Sequence, residues 1–130
     1  MHEYPRVLSA TTIIDDKVVS TTGEDLGTLK ELMLDLDDGR INYAVLSFGG
    51  FLGLGDKLFA IPWEALTLNA EDHTFVLDVE KERLENAPGF DQDNWPTDAD
   101  YEAGWLNDVY DYYGYAPYWS EEESEPFSDM

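Results

Sequence analysis

Glu64, placed between Trp63 and Ala65, and the two histidines, His2 and His73, are the side chains of this sequence best suited to acid–base chemistry. An indole beside a carboxylate can strip it of water and raise its pKa, which would make Glu64 the acid of a small hydrolase or ligand-binding barrel with His73 at the same rim. A general base, however, needs a partner and a placed substrate. His2 is near the start of the chain and His73 sits in the polar turn Glu71-Asp72-His73, so both read as solvent-facing, and Glu64 reads more simply as a cap for the turn that follows it. There is no cysteine, which removes thiolate nucleophiles, thiolate metal sites and disulfides. Gly49, Gly50, Gly53 and Gly55 do not match the G-x-G-x-x-G spacing, and no helix follows to receive a phosphate. Asp91 and Asp93 with Glu102 have the outline of a calcium loop, but Pro96 stands where glycine must turn and Trp95 replaces an oxygen ligand. In Asp35-Leu36-Asp37-Asp38-Gly39 the twelfth position is Leu46, so that segment is excluded as well. The expectation is a protein that is not an enzyme, with no cofactor and no specific metal site. An acidic, weakly cation-binding protein is a further alternative.

Charge narrows the partners. The 130 residues carry 29 acids and 7 bases, a net charge of −22, and every base lies at or before Arg83. Thirteen of the acids follow it. Such a field repels phosphate backbones and anionic lipid, whose binding depends on Lys and Arg displacing counterions, so nucleic acid and direct membrane insertion are not expected. Solubility through self-repulsion, or adaptation to high salt, is the plain reading of the acidity. The first residues lack a basic stretch followed by an apolar one, and no apolar run approaches the roughly 20 residues a bilayer needs, which points to a cytoplasmic protein.

The elements that must position any site are mostly strands. Lys17–Ser20 is a first strand, closed by the turn Thr21–Asp25. From Leu26 to Leu36, Leu32, Leu34 and Leu36 alternate with Met33 and Asp35, the period of a strand with one wetter face. After the turn Asp37-Asp38-Gly39-Arg40, the return strand Ile41–Phe48 is apolar on both faces, with Ile41, Tyr43 and Val45 on one and Ala44, Leu46 and Phe48 on the other. One face fills a core; the other needs a cover, from the tail or from a second subunit. The glycine-rich stretch Gly49–Lys57 is a strand connection that carries Phe51, Leu52 and Leu54, which either fold over a barrel end or are offered to another chain. Leu58–Ile61 is a strand stopped by Pro62, and Thr67–Asn69 and Phe75–Val79 are two more, followed by helical turns at Lys81–Asn86 that Pro88-Gly89 ends. This spacing describes an all-β fold, a small antiparallel barrel with short helical turns.

From Phe90 to Trp119 the chain is too aromatic for a solvated linker. Leu106, Val109, Tyr110 and Tyr113 form the stripe of an amphipathic helix, with Asp98 as its cap and Gly114 as its stop. Trp95, Trp105, Leu106, Val109, Tyr110 and Tyr113 are therefore the expected docking residues of an acidic, aromatic-rich helical extension, in cis or in trans. Residues 120–130, with Glu121-Glu122-Glu123, read as a disordered acidic tail.

The order of motifs in the first two thirds resembles the PRC-barrel family, named for the cytoplasmic domain of the photosynthetic reaction centre H subunit and shared with the ribosome maturation factor. Val7-Leu8-Ser9-Ala10 stands before the first strand, Gly23-Glu24-Asp25-Leu26-Gly27 forms the first turn, and Leu32-Met33-Leu34-Asp35 leads into Gly39-Arg40-Ile41. Gly49-Gly50, Gly53-Leu54-Gly55 and Ile61-Pro62-Trp63 complete the set, and Asp93-Asn94-Trp95-Pro96 with its tyrosine-rich sequel is similar to the ending of stand-alone bacterial members. The resemblance implies a barrel domain over residues 7–89 that acts as an assembly or adaptor module, often self-associating, with no catalytic residues to carry over. The expected function is thus a non-catalytic scaffold forming homo-oligomers, a dimer first, through Phe48, Phe51, Leu52, Leu54 and Trp63. An unidentified protein partner is the other possibility for that surface.

Overall fold

The computed structural model of the chain describes residues 7–49, 57–69 and 71–119. Its centre is a seven-stranded sheet built from β1 (Lys17–Ser20), β2 (Asp25–Asp35), β3 (Arg40–Phe48), β4 (Lys57–Pro62), β5 (Leu66–Asn69), β6 (Thr74–Leu77) and β7 (Gly89–Phe90). Helix α1 (Ala10–Ile13) precedes it, α2 (Lys81–Glu85) links β6 to β7, and α3 (Asp98–Glu102) and α4 (Trp105–Tyr113) form the extension. No described helix is long and apolar enough to cross a membrane.

The strand order is β5-β6-β1-β2-β3-β4-β7. Two features correct the antiparallel barrel expected from the sequence. First, β1 and β6 pair in parallel, with Val18 opposite Phe75 and Ser20 opposite Leu77. Turn residues reveal only how consecutive strands run, and these two are far apart in the chain. Second, the sheet does not close: β5 and β7 are its edges and do not pair with each other. After Phe90 the chain leaves the sheet, and the Asp91 carboxylate accepts from the Asp93 amide (3.1 Å) and from Asn94 Nδ2 (2.7 Å), turning the backbone away.

Close approach inside the sheet depends on Gly27. The sequence places it in the first turn, but it lies within β2 at φ +109°, where an added Cβ would meet the Ser47 carbonyl oxygen at 2.1 Å. No side chain fits there. The core below contains Val18, Leu26, Leu29, Ala44, Leu46, Phe59, Ile61, Phe75 and Leu77. The pairs on β3, β4 and β6 are two residues apart, as one face of a strand requires, whereas Leu26 and Leu29 are three apart on β2, whose register shifts against both neighbours.

The second apolar face of β3 is covered by the extension of the same chain. Tyr43 and Val45 of β3 and Leu58 and Ala60 of β4 cluster with Val109, and Trp105, Leu106 and Tyr113 pack against them. The single helix expected over this region is two helices. Thr97, not Asp98, caps α3 through a reciprocal box in which the Asp100 amide donates to Thr97 Oγ1 (3.3 Å) and the Thr97 amide to Asp100 Oδ2 (2.8 Å). Gly104, at φ +93°, breaks the run before α4, and Gly114 terminates α4 as expected.

Candidate interaction site

Beside α1 and the hairpin end of β2 and β3, the chain leaves an apolar groove of about 360 Å³. Ile13 of α1, Leu32 of β2, Ile41 of β3 and Leu68 of β5 line it, with Trp63 from the 3-10 turn Trp63–Ala65 and Leu8 from the lead-in segment. Each wall has a sequence cause. Pro62 ends the β4 ladder and forces the turn that presents Trp63, whose ring stands edge-on to Phe75 at 6.1 Å. Leu32 and Ile41 lie near the hairpin end of β2 and β3, beyond the best-covered part of the core. Leu8 is 50% exposed and Val7 beside it 86% exposed, so the groove continues into an open apolar segment.

Two wall residues have charged chain neighbours that pair with each other. Arg40 and Glu64, the neighbours of Ile41 and Trp63, form an ion pair at 3.9 Å, and both side chains are substantially exposed. Glu64 is thus held by a cation in water rather than isolated in an apolar pocket. His73 sits in its turn at φ +53°, with Nδ1 3.7 Å from Asp16 Oδ2. Neither Glu64 nor His73 lines the groove. No group of three or more possible metal ligands occurs among the described residues.

Of the residues expected at an interaction surface, Trp63 lines the groove. Phe48 lies elsewhere: it is 7% exposed, belongs to the core, and has the Lys81 ammonium 5.7 Å above its ring. Phe51, Leu52 and Leu54 lie outside the described residues. The six expected docking residues all face the sheet or its immediate cover. Val109 and Tyr110 are fully buried; Trp105 meets Tyr43 edge-on at 5.7 Å, and Trp95 packs on Phe90 at 5.1 Å.

Polar contacts of Tyr110, and of Tyr118, Arg83, Tyr112 and Tyr101, which the docking expectation did not include, hold the extension in place. Tyr118 donates to Asp35 Oδ2 at 2.6 Å and accepts from Asn42 Nδ2 at 3.0 Å, while Arg40 stacks over its ring at 3.7 Å. Tyr110 donates to the Asn42 carbonyl at 2.6 Å. Arg83 donates to the Tyr112 carbonyl, and the Tyr112 hydroxyl returns a bond to the Arg83 carbonyl at 2.6 Å. Tyr43 and Tyr101 share a hydroxyl hydrogen bond of 2.7 Å. These contacts set the titration of the groups involved. The Tyr118 hydrogen bond holds the Asp35 carboxyl below its ordinary value, helped by the amides of Asp38 and Asp37 against the opposing effect of desolvation. Burial pushes Tyr110 up to about 12, and burial first, then the bond to Asp35, raises Tyr118. One signal was available in the sequence: Asn42 is a polar residue between Ile41 and Tyr43 on a strand apolar on both faces, and a buried amide needs partners.

The family model described as the PRC-barrel domain matches residues 5–84. No curated protein matches the chain.

Proposed function

Because the chain belongs to the PRC-barrel family, we propose that it is a non-catalytic scaffold that works by protein–protein contact, and that its first partner is a second copy of itself seated at the apolar groove. The supporting observation is the groove: an open cavity walled by Leu8, Ile13, Leu32, Ile41, Trp63 and Leu68, with the exposed Val7–Leu8 segment beside it. Apolar surface of this kind, rimmed by polar groups, marks contact sites. A two-fold arrangement suits it, because each copy can lay its Val7–Leu8 segment across the groove of the other, burying the same surface twice.

Light scattering after size-exclusion chromatography tests this. The −22 charge of each copy opposes association, so the dimer fraction should rise between about 0.05 and 0.5 M salt as repulsion is screened. Val7→Asp with Leu8→Asp, both at exposed positions, should hold the protein as a monomer without lowering its unfolding midpoint. A parent protein that stays monomeric at every salt concentration would remove the self-association reading.

A further inference from the structure

A second cavity, of about 540 Å³, lies between the β2–β3 hairpin and the extension, with Leu34, Leu36, Leu106 and Trp119 among its walls and Asp37 and Asp98 beside them. It exists only because residues 98–119 fold against the hairpin, beyond the segment matched by the family model. Leu36 is 87% and Leu34 63% exposed, so the cleft presents two leucines to solvent next to carboxylates. No ion pair among the described residues holds Asp37 or Asp98. Asn42, which lines the same cleft and is 8% exposed, has an unpartnered side-chain oxygen among the described residues. Its orientation is fixed, since Tyr118 gives its proton to Asp35 and must accept from Asn42 Nδ2.

We propose that this cleft binds a basic amphipathic segment of a partner protein, whose apolar face covers Leu34, Leu36 and Trp119 while lysine or arginine heads reach Asp37 and Asp98. Charge complementarity selects this occupant. A second copy would bring another −22 against the carboxylates, and nucleic acid would bring only phosphates. A free metal cation would leave the leucines uncovered. The site is independent of the groove, and its partner is foreign where the partner of the groove is a copy.

The probe is a synthetic leucine–lysine peptide with all leucines on one helical face, titrated into the isotopically labelled full chain at about 0.15 M salt and followed by NMR shifts and calorimetry. A peptide of the same composition with its leucines scattered is the control. Shifts should concentrate at Leu34, Leu36, Asp98 and Trp119, and the control should bind at least about tenfold more weakly, as loss of leucine burial implies. Leu34→Ser with Leu36→Ser should weaken the amphipathic peptide by about tenfold or more while leaving the unfolding midpoint in place, because both side chains are largely in water. Asp37→Asn with Asp98→Asn should weaken it and flatten its salt dependence. Equal binding of the two peptides, shifts spread over the acidic surface, or unchanged affinity in the leucine variant would overturn the proposal. The Val7→Asp, Leu8→Asp protein separates the two sites: it should bind the peptide as the parent does, and loss of binding there would also overturn the assignment to the cleft.

Discussion

Tyr118→Phe removes one oxygen from the contact that joins the end of the extension to the β2–β3 hairpin. The ring can remain beneath the Arg40 guanidinium, 3.7 Å from its centroid, so the perturbation is confined to the hydroxyl. Two bonds are lost, the donation to Asp35 Oδ2 and the acceptance from Asn42 Nδ2. A hydrogen bond to a carboxylate contributes about 1.5–3 kcal/mol, and a buried amide left without its acceptor costs about 1–3 kcal/mol. Asp35 is only half buried and keeps the amides of Asp37 and Asp38, at 3.1 and 3.2 Å, so the first figure belongs at its lower end. The combined loss is about 2.5–4.5 kcal/mol. With a urea slope of about 2 kcal/mol per M, the midpoint should fall by about 1–2 M. Tryptophan fluorescence follows the transition directly, because Trp119 stacks edge-on against Tyr118 at 5.1 Å and against Tyr110 at 4.9 Å. Asp35→Asn, whose amide oxygen can still accept from Tyr118, should lose less, and the double variant should lose less than the sum of the singles. A midpoint in Tyr118→Phe within about 0.2 M of the parent, or strict additivity in the cycle, would show that this network does not clasp the extension.

Two further outcomes follow from the same geometry. Stability should be level through neutral pH and decline on both sides: the depressed Asp35 value gives stabilisation that is present above the ordinary 3.8 and lost as pH falls through the folded value, whereas the raised Tyr118 value gives stabilisation present below 10.0 and lost as pH rises through the folded value. Urea midpoints against pH check this, and Tyr118→Phe should show a shallower alkaline decline; an identical decline would refute the role of the hydroxyl. Gly27→Ala should cost at least about 3 kcal/mol, since its Cβ would collide with the Ser47 carbonyl, while Gly23→Ala, at φ +91° in open space, should cost only about 1–2 kcal/mol. Equal midpoint shifts for the two variants would contradict the close approach of β2 to β3.

Much of the sheet was legible because its signals are local. The turn at Gly39 and the stop at Pro62 depend on neighbours in sequence and stand where those residues place them. The alternation in Leu32–Leu36 does not carry through: β2 ends at Asp35 with a register shift between Met33 and Leu34, Leu34 and Leu36 are largely exposed, and Leu32 packs on the core. The parallel β1–β6 pair and the open edge were not legible, because they are set by contacts between segments that share no turn. The two-faced apolar character of Ile41–Phe48 required a cover, but its pattern could not distinguish a cover from the same chain from one on a neighbour. The split of the extension at Gly104 was missed because the stripe from Leu106 to Tyr113 continues the period of a single helix, while Thr97 and Asp100 cap a separate one. The cleft was invisible for a related reason: Leu34 and Leu36 read as one face of a strand, and only the folded extension brings Trp119 and Asp98 beside them.

The pairing of β1 with β6 has a consequence for how the molecule is made. β2 can pair with β1 as soon as the hairpin leaves the ribosome, and β3 and β4 can follow in order, but the far side of β1 has no partner until Leu77 has emerged. During that interval Lys17–Ser20 is an unpaired edge, the kind that recruits strands from other nascent chains. The assembly step completed by β6 is therefore a non-local one, with the loop-closure delay that such pairings carry, and the protein protects its first strand only when its sixth arrives.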